Sequence, residues 1–278
     1  METLMNPAAE AMFSQAVRLP QIPHVMQEVI KSLRDENVSG QQLAALVSSD
    51  QVIVAKVLRL ANSSYYGARR NVAKVSEAVQ LLGLDTFRNL VISSALVSAF
   101  PKVSGFDLAA FWRNSMLVAN IAHILGRDLD TDREMLFSAG LMHSIGQLLI
   151  VLCLPSAAEA VADQLKNLDL GEQRTTEERL LKLSHFEVGM ELARRWNFPD
   201  CIQSAVGHYD VPEAGDLPAQ IVHAAVKIAQ GIQSGDTFSD MLTAIPPEIA
   251  ERLGITQAWF MEEGEVFDLL LAEASALA

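Results

Sequence analysis

The stretch Ala139-Gly140-Leu141-Met142-His143-Ser144-Ile145-Gly146-Gln147-Leu148-Leu149 decides the fold. Placed on a helix at about 100° per residue, Leu141, Met142, Ile145, Leu148 and Leu149 make one apolar face, while Gly140, His143, Ser144 and Gln147 line up on another. Leu136 and Phe137 before it, and Ile150, Val151 and Leu152 after it, leave almost no side suited to water. A helix of this kind belongs in a core. Its single small, polar stripe is expected to face an internal cleft or a buried partner. For His143 two readings are open: a hydrogen-bonded core imidazole, or one member of a ligand set.

Working outward, Met135 to Ala158 carries no Asp, Glu, Lys or Arg and is long enough to span a bilayer of roughly 30 Å. Gly140, His143, Ser144, Gly146, Gln147 and Pro155 interrupt it, so it reads as a buried core helix and no membrane is expected as partner. The whole chain has 278 residues, half of them hydrophobic, enough for one large core or two smaller ones. Two helical lobes are expected. The 21 Lys and Arg against 34 Asp and Glu give a net charge of −13, which repels phosphate backbones and anionic lipid, so no nucleic-acid partner is expected either. Cys153 lies in an apolar run and Cys201 is far from it. Both read as reduced residues of a cytoplasmic protein, and the N-terminus lacks the basic and apolar regions of a signal peptide.

Punctuation along the chain is helical throughout. Ser39 with Gln42 forms a capping box, Asp50 caps the helix after it, Gly83 stops one from Ser76, and Asp107 caps a long helix from Leu108 to Leu125. Thr131 with Glu134, Ser156 with Glu159, Thr175 with Glu178 and Ser184 with Glu187 repeat the capping-box signature. Leu168 to Thr175 reads as a polar loop. Period-2 alternation is never sustained, so the fold class is all-α. The break at Pro101-Lys102-Val103-Ser104-Gly105 divides a first helical lobe (1–104) from a second helical lobe (105–235), followed by a helical extension packed on the core (236–278). Helix, glycine turn and helix around Gly83 invite a helix-turn-helix reading, but Thr86 to Phe100 is too apolar for a groove.

His143, His185 and His208 all fall in the second lobe, at helix ends or on a polar stripe, and suggest a common site. Placed at a helix N-terminus, His185 would be biased toward the neutral form that a metal requires. In the first lobe the polar, aromatic turn Asn62, Ser63, Tyr65, Tyr66 and Gly67 is a candidate binding element, or a turn locking two helices through buried tyrosines.

With Leu19-Pro20-Gln21-Ile22-Pro23, Ser49-Asp50, Asn62-Ser63, Tyr66-Gly67, Leu82-Gly83, Phe111 to Ser115, Gly140 to Gly146, His185 to Gly189 and His208, the chain resembles the HDOD domain family. That family is a bacterial relative of the metal-dependent HD phosphohydrolases, and the resemblance implies an HD-like bundle in the second lobe. Matched residue by residue, the superfamily's first histidine falls on Asn114, its His-Asp pair on His143 and Ser144, later histidines on His185 and His208, and its last aspartate on Val226. Both carboxylates are absent. A hard two-metal site needs such anionic oxygens. What survives is at most a remnant set of three histidines able to hold one divalent ion, Zn, Fe, Mn or Ni, with no cofactor required.

The resemblance implies a non-catalytic signal-transduction module that binds a partner protein or a small signal, its partner in trans a sensor kinase, a receiver or a cyclic-dinucleotide enzyme. The alternative is a metal-dependent phosphohydrolase acting on a nucleotide or other phosphoester through a degenerate site. Nucleotide binding without hydrolysis is a third possibility.

Overall fold

Local capping chemistry starts most of the helices. The computed structural model describes residues 6–14, 20–33, 38–62, 72–166 and 168–277, and of 268, 269 and 271–277 only the backbone. No strand occurs among them. In the first lobe, α1 (Pro7–Ser14), α2 (His24–Ser32), α3 (Gly40–Val47), α4 (Gln51–Ala61), α5 (Val75–Leu82) and α6 (Leu84–Ala99) follow one another. Ser39 and Gln42 form the expected box at α3, and Asp50 Oδ1 accepts from the N–H groups of Val52 and Ile53 at 3.0 and 3.1 Å. Gly83 sits at φ +82, a backbone state open to glycine, and so separates α5 from α6.

The second lobe is built from α7 (Leu108–Leu125), α8 (Arg133–Met142), α9 (Ile145–Cys153), α10 (Pro155–Leu165), α11 (Leu170–Leu181), α12 (His185–Arg195), α13 (Asp200–His208) and α14 (Leu217–Ser234). Then come α15 (Phe238–Thr243), α16 (Pro247–Leu253) and α17 (Gln257–Leu277), the last lying along α7 with Arg127 paired to Glu263. Helix α6 carries the contact between lobes by packing on α8. Helix α1 is tied to the second lobe: Asn6 N donates to Glu187 Oε1 at 3.1 Å, and the Arg195 guanidinium lies 4.5 Å over the Phe13 ring.

Four expectations need correction. The apolar stretch around His143 is not one helix but two, α8 and α9. The Gly140 carbonyl, which a continuous helix would give to the N–H of residue 144, instead accepts His143 Nδ1–H at 2.7 Å, and the chain turns at Ser144. At α8 the cap is Asp132 rather than Thr131, and α10 begins on Pro155 with no side-chain cap, not on Ser156. The segment read as a loop from Leu168 is largely α11, opened by a capping box of Asp169 and Glu172, so Thr175 lies inside a helix.

The small residues of the stripe have a packing role. A Cβ on Gly140 would stand 2.8 Å from the Ala119 backbone on α7, and one on Gly146 would stand 1.9 Å from the His185 carbonyl oxygen on α12. Glycine is what lets α9 approach α12 closely enough to press against the residue that opens it. The span Arg133–Cys153 is long and apolar enough to cross a membrane by composition, but 83% of its apolar 18-residue window is buried inside the fold. It serves as core.

Candidate functional site

Helix α12 starts at His185 because Ser184 Oγ accepts the Glu187 N–H at 3.3 Å. From α11, Glu177 reaches the same helix end. Its Oε2 accepts the backbone N–H of His185 at 2.8 Å and the ring Nδ1–H at 2.7 Å. Across the ring, Nε2 lies 3.0 Å from the Tyr209 hydroxyl, one residue past α13. Burial, reinforced by the Glu177 and Asp210 carboxylates, pushes the Tyr209 phenol well above its ordinary value, so it keeps its proton beside Nε2. Facing the Glu177 carboxylate, which only accepts, Nδ1 carries a proton. Glu177, His185 and Tyr209 are each 2% exposed, and they form a buried hydrogen-bond relay.

Neighbouring groups hold the relay in place. Arg174 Nη2 donates to Asp210 Oδ1 and to the Gly207 carbonyl, both at 2.6 Å, and its Nε pairs with Asp210 Oδ2. The same guanidinium lies 4.6 Å over the Phe186 ring, so α11 is clamped to α12 and α13. His143 meets Tyr209 edge-on at 5.5 Å between ring centroids. Burial, with a smaller contribution from the nearby His185, lowers the His143 pKa to about 4. His223 on α14 donates Nδ1–H to the Tyr209 carbonyl at 2.7 Å, burial lowers its pKa, and its Nε2 has no partner among the described residues.

The expected ligand set is only partly assembled. His143 and His185 come together around Tyr209. His208 does not join them: it is exposed, with Nδ1 3.2 Å from Ser204 Oγ, because the inward position at the end of α13 belongs to Tyr209. Asn114 accepts from Gln233 Nε2 at 2.8 Å, Val226 is buried, and the Ser144 hydroxyl is buried with no partner among the described residues. Both ring nitrogens of His185 are already taken, and two ligand positions that call for a carboxylate are neutral. This donor set does not fit a two-metal phosphohydrolase centre. No group of three or more His, Cys, Asp or Glu among the described residues is placed to hold a metal ion.

Of the first-lobe candidates, Ser63, Tyr65 and Tyr66 lie outside the described residues. The Asn62 amide is engaged within the chain, accepting from Val72 N at 2.7 Å and donating to the Leu58 and Val72 carbonyls. Neither cysteine forms a disulfide, and burial pushes the Cys201 thiol up, away from the reactive thiolate. Sequence reasoning missed Glu177, Tyr209, Asp210 and Arg174. The signal available for them was the run His208-Tyr209-Asp210 closing a helix.

Comparison with known proteins follows the same lines. A protein from Shewanella amazonensis, provisionally named a phosphohydrolase, has a crystal structure that superposes with a TM-score of 0.81 at 29% identity, covering 98% of this chain and 99% of that one. An HDOD domain protein of unknown function from Geobacter sulfurreducens superposes equally well, at 24% identity over 98% of this chain and 97% of the other. A curated relative, an uncharacterized protein of Treponema pallidum, is 24% identical over 206 residues, which are 70% of this chain and only 38% of that longer protein. The family profile described as HDOD domain matches residues 19–212, from the segment before α2 through Tyr209 of the relay and the neighbouring Asp210. By that match the chain belongs to the HDOD domain family.

Proposed function

We propose that this chain is a non-catalytic, cytoplasmic signalling module that binds a partner protein or a small signal in trans. The observation that carries the reading is the state of His185. In a hydrolytic HD site this position would offer a free nitrogen to a metal, whereas here Glu177 and Tyr209 occupy both. Ser144 and Val226, at the two carboxylate positions, supply no charge to hold an ion or orient an attacking water. A buried hydrogen-bonded network rigidifies a core, which suits a scaffold that presents surfaces.

The alternative is a metal-dependent phosphohydrolase, favoured by the name given to the Shewanella relative. A phosphatase and phosphodiesterase assay with Mn²⁺, Mg²⁺ and Zn²⁺ separates the two. The module reading expects no turnover above the protein-free rate. Turnover that His143→Ala abolishes would overturn it.

A further inference from the structure

A cavity of about 530 Å³ opens between α9, α10, α11 and the segment 103–106. Its volume lies in the range of small-molecule sites, roughly 300–1,000 Å³. Phe106, Ile150, Ala158 and Leu181 give it apolar walls. Glu159 and Lys166, both exposed, stand among its lining residues with opposite charges, whereas Glu177 reaches it from the buried relay. Only one oxygen of that carboxylate is used: Oε2 takes both His185 donors, and Oε1 has no hydrogen bond among the described residues. That oxygen is open to the cavity, so an occupant that displaces water from it has to supply a donor of its own. The unused oxygen of a carboxylate is complementary to a cationic donor.

We infer that this cavity is a binding site for a small organic cation, an ammonium or amidinium on an aromatic or aliphatic body, with its charged nitrogen on Glu177 Oε1 and its body between Phe106, Ile150 and Ala158. The inference rests on the module reading above and names the chemistry of its signal. Pairing at Oε1 draws carboxylate charge away from His185 Nδ1, so occupancy is felt along the relay to Tyr209 in the centre of the second lobe.

The test uses the full chain and three probes of one shape: phenethylammonium, 2-phenylethanol and 3-phenylpropionate, followed by saturation-transfer NMR and calorimetry. The cation is expected to bind about tenfold tighter than the alcohol, with the anion weakest. Glu177→Gln is expected to remove that cation preference, and Ala158→Trp, which fills the cavity from the α10 wall without touching the relay, to remove all binding while the circular dichroism stays that of the parent. If Glu177→Gln does not fold, the Ala158→Trp arm decides. A cation that binds no tighter than the alcohol, binding that survives Ala158→Trp, or no binding by any probe at about 10 mM would each overturn the site. Phosphoester turnover is a separate readout: it would overturn the module reading, whereas absent probe binding overturns the cavity alone.

Discussion

Two histidine–glutamate pairs in the second lobe share one chemistry and differ in setting. His185 and Glu177 stand 2.7 Å apart with both side chains 2% exposed, whereas His123 and Glu134 stand 3.3 Å apart with side chains 30% and 16% exposed. The second pair has redundant support. Arg133 donates from Nε to the His123 carbonyl and meets its Nδ1 at 3.1 Å, and Asn89 of the first lobe donates to the Glu134 carboxylate. Water can replace a lost partner there. The His185 ring and its two partners are each 2% exposed, so each member of the relay depends on the next. The difference teaches that burial, more than the identity of the pair, sets what the pair is worth.

The sharpest way to break the comparison is to remove each carboxylate in turn. Glu177→Ala leaves a backbone N–H and an imidazole N–H buried without an acceptor and is expected to cost roughly 3–5 kcal/mol by urea denaturation. Glu134→Ala, at the wetter pair, is expected to cost about 1 kcal/mol or less. Equal losses would mean that the settings are energetically alike.

Between these extremes lies an acid-dependent effect of His143. Its folded pKa of about 4 is below the ordinary 6.5, so the unfolded chain takes up the proton first. The stability it contributes is complete above pH 6.5 and is lost as the pH falls toward 4. The whole span is worth roughly 3 kcal/mol. His143→Gln keeps a donor for the Gly140 carbonyl and removes the titration. The gap between parent and variant, followed by denaturation across that window, is expected to shift in favour of the variant as pH falls. A constant gap would mean that His143 titrates alike in the folded and unfolded chains.

How much of this was legible in the sequence depended on how local each signal is. The starts of α3, α4 and α7 could be read because Ser39, Asp50 and Asp107 cap helices a few residues away. The start of α11 carries the same local signal, Asp169 with Glu172, but nothing behind it marks a core-facing helix. Its sequence, Leu170 to Leu181, buries Leu170 and the acid Glu177, so the apolar periodicity that marks a core-facing helix is missing. The break between α8 and α9 was hidden for another reason: a side chain, His143, ends the helix where no proline or glycine signals a stop.

The candidate site divides in the same way. His143 and His185 were legible as polar residues on apolar helices, and they do meet around one centre. That centre, Tyr209, was invisible because its partners lie 24 residues away in His185 and 14 in His223. His208 was chosen on residue type, yet its neighbour points about 100° further round the helix, and burial selects the tyrosine.

The central claim is that His185 is spent inside the protein. Its most direct test is the imidazole nitrogen spectrum of the ¹⁵N-labelled chain with and without Zn²⁺. The relay predicts a neutral ring protonated on Nδ1, with both nitrogen signals unmoved by the ion. A shift of the Nε2 signal to that of a metal-bound nitrogen, lost in His185→Gln, would contradict it and return the site to metal chemistry.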